Sequence, residues 1–503
     1  MKYFLTLIQL WVGFLSICAS YPKANIWIIP SVESPQVYRN YAQTSKVHLE
    51  MARGEVEHIQ LVFPSKVNEE YRFTFDRYLK GIQISARELK KMNGYYDALV
   101  PFKNQLKCTD TLTAVWITVQ CPSRVPVGKY HQTIKIEGSK HFTIQLDYNV
   151  HHTTIPLKSS IPITVGVENR CMTECLNDKE ADKERQRWVD FVLSYRMTPV
   201  FGTQITPERW QYEHSFSPWA WNDKRSIRLL NDRRYSCYML PFFTLSENEL
   251  ASLLCNIQKK GKLKESLFYI WDEPAYMEDY EQIKRKVNII RKYASDARIL
   301  TTFFCGPRNG PRKGDLYAVF DYLKHHIHVA TISLAPCKGN EEEVQHIRYK
   351  VPEGIDWWSY VCWQPGGNEP NFLLQMKGIQ QRAIMWRTWK NGSQGFLYWN
   401  CNIYHKRNPF TYITDMPHGD GILIYPGDIL GCKGPIASAR LERWRDGAEE
   451  MELLRLVEKN YSKEKADTLL NIVYSSPLSF IEKAHNIPFF RKELLDQLDK
   501  TIP

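Results

Sequence analysis

The chain has 503 residues, of which 43% are hydrophobic and 13% aromatic. This length exceeds what one core usually organises, so two or three folded domains are expected and intrinsic disorder is excluded. The formal net charge is +11, but the basic residues are scattered and no basic stripe interleaved with aromatic residues occurs. We therefore expect a solvated basic surface and no nucleic-acid partner.

The first 20 residues have the pattern of a secretory signal peptide. Lys2 provides a short positive region, residues 3–14 are apolar, and residues 18–20 form a small-residue cleavage site. The apolar run is too short for a transmembrane span. The segment predicts a secreted or periplasmic protein. Lipoprotein anchoring at Cys18 is the minor alternative, because the bulky Ile17 stands where a lipobox has a small residue.

Residues 21–157 predict a β-sandwich. Short segments alternate apolar and polar residues between turn signals such as Gly54 and Gly128, and they cover residues 47–51, 58–63, 113–119, 133–136 and 142–146. Strands of this length and spacing, with few helical periods, are typical of two antiparallel sheets packed face to face.

Residues 158–437 predict a (β/α)8 TIM-type barrel. Strand-like runs alternate here with long amphipathic stretches, and the runs cover residues 161–167, 199–201, 238–243, 266–270, 299–304, 328–334, 355–361 and 396–400. About eight such alternations over about 280 residues match the usual size of this barrel. The chain is thus expected to be a multidomain α/β protein.

Residues 438–503 predict C-terminal helices that pack on the barrel. Residues 440–456 repeat apolar positions with a 3.6-residue period, which is typical of a helix in the outer ring of a barrel. Four charged residues in this segment are spaced for one helix, and we interpret them as ion-paired structural residues rather than as a site; they are Arg440, Glu442, Arg445 and Asp446.

Two acidic residues follow an apolar and aromatic run in the barrel region. Residues 267–271 indicate a buried strand, which ends at Asp272, Glu273 and Pro274 because proline cannot donate to a strand ladder. Active sites of barrels lie at the carboxyl ends of the strands. Adjacent carboxyls repel, so one tends to stay protonated, and glycosidic cleavage uses a protonated acid beside an ionised carboxylate. The alternative is that Asp272 caps the next helix and Glu273 is solvated.

Further segments share an order and spacing with this pair; they are residues 52–55, 269–274, 356–362, 382–386, 395–400, 419–421, 425–427 and 438–450. Together they resemble glycoside hydrolase family 123, the β-N-acetylgalactosaminidases, including the family's N-terminal domain. The resemblance covers most of the chain. It implies a glycan or glycoconjugate substrate and no cofactor.

The resemblance also implies a retaining mechanism in which the substrate assists, a recognised exception to the use of two protein carboxylates. The 2-acetamido oxygen attacks the anomeric carbon and forms an oxazoline. Glu273 would protonate the leaving oxygen and later activate water, while Asp272 would hold and polarise the acetamido N–H. This division of roles fits the adjacency of the two carboxyls, because both must reach atoms of one sugar ring.

Aromatic residues at two strand ends are candidates for the sugar-binding surface. Aromatic faces stack on sugars, and polar atoms of Tyr, Trp and Asn fix hydroxyl or acetamido groups. Because successive side chains of a strand alternate, about half of each cluster faces the barrel axis and the rest packs outside. We favour Tyr360, Trp399 and Asn400 as substrate-binding residues, followed by Trp363 and Trp358.

Histidine and cysteine residues do not predict a metal site. The histidines of residues 325–328 lie between a predicted helix and strand and lack a matching second cluster. Cys171 and Cys175 lack further partners for zinc. The pairs Cys108–Cys121 and Cys171–Cys175 are candidate disulfides, although buried free thiols are equally compatible with the sequence.

We therefore expect an exo-acting glycosidase that releases terminal β-linked N-acetylgalactosamine and has no stable protein partner. One alternative is another glycosidase or hexosaminidase on the same scaffold. Another is a glycan-binding relative without turnover, against which the presence of both Asp272 and Glu273 argues.

Overall fold

A computed structural model describes residues 26–76, 81–204, 212–404, 407–409 and 417–501. The predicted signal peptide, residues 1–20, lies outside the described residues. The described chain contains two N-terminal five-stranded sheets, a nine-stranded sheet that forms a nearly closed barrel, and helices around that barrel.

Two sheets form the N-terminal part, in the orders β1-β3-β8-β5-β6 and β2-β10-β9-β4-β7. Their strands are β1 (Trp27–Pro30), β2 (Lys46–Arg53), β3 (Glu55–Pro64), β4 (Glu70–Phe75), β5 (Gln83–Met92), β6 (Tyr95–Pro101), β7 (Gln105–Lys107), β8 (Leu112–Cys121), β9 (Gly128–Glu137) and β10 (His141–Thr154). All five strand segments expected here are confirmed. Alternation explains the packing: Ile134 and Ile136 of β9 are buried, whereas Lys135 and Glu137 are exposed.

The nine-stranded sheet has the order β13-β12-β11-β19-β18-β17-β16-β15-β14. Its strands are β11 (Ile163–Glu168), β12 (Thr198–Gln204), β13 (Tyr212–Ser215), β14 (Tyr238–Met239), β15 (Ser266–Trp271), β16 (Arg298–Phe303), β17 (Val329–Ser333), β18 (Asp356–Val361) and β19 (Phe396–Tyr398). The eight expected strand runs coincide with all of these except β13, which pairs antiparallel with β12. The edge strands β13 and β14 do not pair with each other among the described strands, so the sheet is a nearly closed barrel.

Every parallel strand of the barrel is followed by at least one helix. The helices are α1 (Asn169–Thr173), α2 (Asp178–Ser194), α3 (Lys224–Leu230), α4 (Glu247–Lys259), α5 (Met277–Arg291), α6 (Leu316–Leu323), α7 (Glu341–Lys350), α8 (Gly378–Lys390), α9 (Ala439–Asn460), α10 (Lys463–Leu470) and α11 (Ile487–Asp499), and a small hairpin of β20 (Ile424–Pro426) and β21 (Pro435–Ala437) precedes α9. Local signals set these bounds. Ser246 and Glu249, for example, form a capping box at the start of α4.

Strand β18 shows how the barrel sorts its side chains. Trp358 and Tyr360 belong to the interior cluster of the barrel, together with Leu267 and Tyr269 of β15. Trp357 and Val361, one residue away, pack outward against the helices. The period of two thus decides which aromatic residues of this strand can approach the barrel axis.

Helix α9 is buried on all sides because α8 and the N-terminal sheets cover different faces of it. The expected ion pairing is confirmed: Arg440 Nη2 lies 2.9 Å from Asp97 Oδ2 of β6, and Arg445 pairs with Glu442. Arg382 of α8 contacts Asp446 at 3.0 Å. The helix therefore lies between two parts of the fold rather than on an outer surface, and many of its charged partners come from other elements.

The cysteines of the described residues are free thiols, so neither candidate disulfide is formed. The histidines of residues 325–328 lie in the connection between α6 and β17. In the described ranges no group of three or more His, Cys, Asp or Glu residues could hold a metal ion. No described helix is long and apolar enough to cross a membrane.

Candidate active site

The two adjacent carboxylates lie directly after β15, at the carboxyl end of a strand that is buried along its whole length. Asp272 is exposed and Glu273 is half-buried, so both reach the open end of the barrel. Glu273 has a φ of +43°, in the left-handed region that non-glycine residues seldom adopt. Such a backbone conformation is sustained by surrounding contacts, and it turns the chain sharply between the two acids.

One oxygen of Asp272 is held by two hydroxyl groups. Tyr269 Oη donates to Asp272 Oδ1 at 2.6 Å, and Thr302 Oγ1 donates to the same oxygen at 2.8 Å. Each hydroxyl has one proton, so this double donation suits the ionised carboxylate. Oδ2 has no hydrogen-bond partner among the described residues and is left to accept a bond from a ligand.

Thr302 also fixes the backbone of the second acid. Its Oγ1 accepts the N–H of Glu273 at 2.9 Å. Thr302 is buried on β16, the strand beside β15, so the neighbouring strand positions both acids through a single hydroxyl. This bond supplies a partner for the N–H in the left-handed turn.

Glu273 is paired with Tyr360 of β18, whose hydroxyl donates to Glu273 Oε1. Burial raises the pKa of Glu273, and the negative charge of Asp272 raises it further. The Tyr360 hydrogen bond and the positive charge of Arg308 lower this pKa in opposition. The resulting upward direction favours a protonated Glu273, as a general acid requires.

Asp272 lies among many protein atoms although its side chain keeps contact with solvent. Burial raises its pKa, and the hydrogen bonds from Tyr269 and Thr302 lower it in opposition. Because solvent still reaches the carboxyl, this desolvation is weaker than in a sealed interior. Asp272 accepts two hydroxyl hydrogen bonds and Glu273 accepts one, so hydrogen bonding stabilises the ionised form of Asp272 more.

The sequence model described as glycoside hydrolase 123, catalytic domain, matches residues 183–457. That span is more than half of the 503 residues and includes both acids. The chain belongs to glycoside hydrolase family 123. A family 123 glycoside hydrolase from Clostridium perfringens, solved in work on glycolipid glycan hydrolysis, has a similar fold, with a TM-score of 0.65 and 13% identity over 94% of this chain and 98% of that chain.

A glycoside hydrolase family 2 β-galacturonidase from Eisenbergiella tayi has a TM-score of 0.33 and 9% identity, covering 79% of this chain and 89% of that chain. No curated protein matches the chain. Family membership makes the chain a glycosidase. The fold similarity to the Clostridium perfringens enzyme extends over both the sheets of the N-terminal part and the barrel.

In this family 123 glycosidase, the predicted sugar-binding residues occupy different depths. Tyr360 contacts Glu273, and Trp399 is half-buried at the end of β19. Trp363 is 44% exposed just beyond β18. Trp358 faces the barrel axis but is 1% exposed, and its ring packs against Gly395. Trp358 is therefore part of the barrel core below the site.

Asn400 is buried and acts on the backbone. Its Oδ1 accepts the N–H of Asn402 at 2.9 Å, and Asn402 Oδ1 in turn accepts the N–H of Glu168 at 2.8 Å. Glu168 ends β11, and burial raises the pKa of its carboxyl to about 7. These bonds tie the segment after β19 to the end of β11, so Asn400 contributes to the shape of the barrel mouth.

The structure adds Asp420 to the residues around the site. Asp420 Oδ1 accepts from Trp399 Nε1 at 3.1 Å and from Tyr398 Oη at 3.0 Å. Burial raises the pKa of Asp420 to about 6. Arg440 holds the same loop by donating to the carbonyl of Gly419 at 2.7 Å. The loop and its carboxylate thus orient the indole of Trp399.

Sequence reasoning missed Thr302, Asp420 and Arg308. Asp420 stands in a Gly-Asp-Gly segment that was noted only for the resemblance, whereas Thr302 and Arg308 carried no local signal. Two cavities of about 540 and 650 Å³ lie elsewhere, against the N-terminal sheets and the C-terminal helices. The candidate active site is therefore defined by the paired carboxylates and not by these two cavities.

Proposed function

We propose that the protein is a retaining exo-glycosidase that releases terminal β-linked N-acetylgalactosamine from glycans or glycoconjugates. The observation that carries this proposal is the arrangement of Asp272, whose Oδ1 is held by Tyr269 and Thr302 while Oδ2 has no partner in the described part of the chain. A fixed carboxylate with one free oxygen suits acceptance of an acetamido N–H. That bond would orient the acetamido oxygen for attack on the anomeric carbon.

Glu273 would act as the acid and then as the base. In the first step the acetamido oxygen bonds to the anomeric carbon, the glycosidic bond breaks, and Glu273 gives its proton to the leaving oxygen. In the second step Glu273 takes a proton from water, whose oxygen opens the oxazoline ring at the anomeric carbon. The raised pKa of Glu273 supports the first role, and the anion formed is stabilised by the Tyr360 hydroxyl.

A glycoconjugate substrate is supported by the Clostridium perfringens relative, which was studied for glycolipid glycan hydrolysis. The half-buried Trp399 and exposed Trp363 offer indole faces near the strand ends for the sugar ring. We further propose export, on the signal-like pattern of residues 1–20.

The test is hydrolysis of chromogenic β-N-acetylgalactosaminide, its gluco epimer and plain β-galactoside by the parent, Glu273→Gln and Asp272→Asn. We expect release from the galacto acetamido sugar and a loss of at least about 100-fold in kcat with either variant. Glu342→Gln, an exposed acid at the start of α7, is the matched control and keeps full activity.

Hydrolysis of the plain galactoside at a similar rate would refute the assisted mechanism, because that sugar has no acetamido group. Faster hydrolysis of the gluco epimer would refute the galacto assignment while keeping the mechanism. Binding of N-acetylgalactosamine without turnover of any glycoside would support the non-catalytic alternative.

A further inference from the structure

The loop that follows β16, residues 304–314, lies against the segment that follows the two acids. The N–H of Arg308 donates to the carbonyl of Ala275 at 2.7 Å, and Asn309 Oδ1 accepts the N–H of Met277 at 2.9 Å. A Cβ on Gly310 would stand 2.7 Å from Met277 Cγ, so the two segments are in close contact. One backbone and one side-chain hydrogen bond therefore fix this loop beside the segment that follows Glu273.

The two ends of this loop are also held together by a hydrogen bond within the loop. The N–H of Gly314 donates to the carbonyl of Pro307 at 2.8 Å. Gly306 lies so close to the end of the loop that a Cβ there would stand 2.7 Å from the carbonyl carbon of Gly314. A loop closed in this way holds the backbone of Arg308 in one place and leaves only its side chain to move.

This loop carries positive charge that its surroundings offset only in part, since Arg308 acts electrostatically on Glu273 and Arg312 on Asp321. Arg308, Arg312 and Lys313 are exposed, and none of them forms an ion pair within the described part of the chain. The nearby acids have other partners: Glu278 accepts from Asn309 Nδ2 at 3.0 Å, and Asp279 accepts the N–H groups of Ala275 and Tyr276.

We propose that Arg308, supported by Arg312 and Lys313, binds an oxyanion, a carboxylate or a sulfate, on the leaving-group side of the scissile bond. The inference rests on the proposed function, in which Glu273 protonates the leaving oxygen. Because the backbone of Arg308 is held against the segment that follows Glu273, we place its side chain on the aglycone side rather than beside the acetamido group. The planar guanidinium forms paired hydrogen bonds with carboxylates and sulfates, which favours an acidic aglycone over a neutral one.

The experiment compares three β-N-acetylgalactosaminides with 3-carboxyphenyl, 3-sulfophenyl and 3-carbamoylphenyl aglycones. We would measure kcat/KM for each with the parent, Arg308→Gln, Arg308→Lys and Arg124→Gln. Arg124 is an exposed residue of the turn between β8 and β9 and controls for the change in net charge. Comparing substrate ratios between variants removes the intrinsic reactivity of each leaving group.

We expect Arg308→Gln to lower the ratio of anionic to neutral kcat/KM about fivefold, the scale of a partly solvated charge-assisted contact. Arg308→Lys should lower this ratio less than Arg308→Gln does, and Arg124→Gln should leave the ratio unchanged. A change confined to the carboxylate or to the sulfonate, which stands in for sulfate, identifies the oxyanion. The parent's ratio falls as ionic strength rises, because salt screens an exposed cation.

Equal losses on all three substrates would overturn the inference and assign Arg308 to the general architecture of the site. If the parent hydrolyses the neutral compound and Arg308→Gln leaves the ratio unchanged, this inference fails while the proposed function stands. If the parent hydrolyses none of the three acetamido sugars, both fail.

Discussion

Thr302 contacts both acids of the site through one hydroxyl group, which donates to Asp272 and accepts the N–H of Glu273. Replacing it with valine keeps the shape but removes both bonds and leaves a backbone N–H without its partner. We expect Thr302→Val to lower kcat/KM about 10- to 30-fold, the equivalent of about 1.4–2 kcal/mol, mainly through kcat. Steady-state kinetics on the chromogenic acetamido sugar measure this change.

Thr331→Val is the matched control, because Thr331 is a buried threonine of the next strand whose Oγ1 lacks a hydrogen-bond partner among the described residues. That variant should keep activity within about twofold, since no bond is lost. Thr302→Ser should restore most of the activity. Equal kinetics for Thr302→Val and the parent would contradict a positioning role.

Tyr360 tunes the proton affinity of Glu273. Its hydrogen bond stabilises the ionised form and so lowers a pKa that burial and Asp272 raise. Removing the hydroxyl in Tyr360→Phe therefore raises the pKa of Glu273 further. The acid stays protonated to higher pH, and the alkaline limb of the kcat/KM profile should move upward.

The measurement is a pH profile of kcat/KM for the parent, Tyr360→Phe and Tyr349→Phe. Tyr349 is a largely exposed tyrosine of α7 and should leave the limb in place. A downward move of the limb in Tyr360→Phe would mean that the hydroxyl favours the protonated acid, opposite to the sign derived from its hydrogen bond.

The residues that the sequence could identify are those with a local signal. Asp272 and Glu273 directly follow an apolar strand and precede a proline. The structure brings Tyr360 to Glu273. Thr302 could not be singled out, because its role depends on the register between β15 and β16. The burial of Trp358 could not be predicted, because alternation gives the face of a strand but not the depth along the barrel axis.

At the scale of elements, β11 and the segment after β19 approach so closely that only glycine fits between them. A Cβ on Gly166 would stand 1.9 Å from the carbonyl oxygen of Trp399. We expect Gly166→Ala to push this segment away, to cost about 1–3 kcal/mol of unfolding free energy or more, and to raise KM by displacing Trp399. Urea unfolding and steady-state kinetics measure the two effects.

Gly366→Ala is the matched control, since a Cβ there meets no atom within 4 Å. It should leave both unfolding free energy and KM close to those of the parent. A Gly166→Ala variant as stable and active as this control would show that the strands separate without cost.

The long strands and helices were predictable because each repeats its pattern several times. The run that became β8 spans ten residues and is rich in β-branched and aromatic residues, and α4 begins at Glu247 directly after its serine cap. Strand β13 was missed because four residues provide too little alternation to separate a strand from a loop. Its antiparallel pairing with β12 makes β13 an edge strand of the nearly closed barrel.

At the scale of the molecule, buried ion pairs connect the N-terminal sheets to the helices around the barrel. Arg491 of α11 lies 2.8 Å from both Glu55 and Glu57 of β3, while Arg382 of α8 lies 2.6 Å from Glu450 of α9. A helical period shows only one apolar side, so the sequence did not indicate that these charged residues are buried. It could not show that a second sheet domain covers the other side.

Arg440 lies in the contact between the N-terminal sheets and the barrel, and its replacement should affect both stability and KM. It is 1% exposed, pairs with Asp97 of the N-terminal sheets, and donates to the carbonyls of Phe372 and Gly419 at 2.7 Å each. Arg440→Met would leave the buried carboxylate of Asp97 without its cation. Breaking a buried pair by removing one partner costs about 3–5 kcal/mol, so the midpoint of urea unfolding should fall.

Arg234→Met is the control, because Arg234 pairs with two carboxylates that remain in contact with solvent, Asp190 and Asp232, and should cost about 1 kcal/mol or less. Arg440→Met should also raise KM, since the loop that it holds carries Asp420 and, through it, the indole of Trp399. Asp420→Ala in the parent background should reproduce that rise in KM with a smaller loss of stability. If Arg440→Met lowers stability while KM stays at the parent value, the contact between the sheets and the barrel is structural alone.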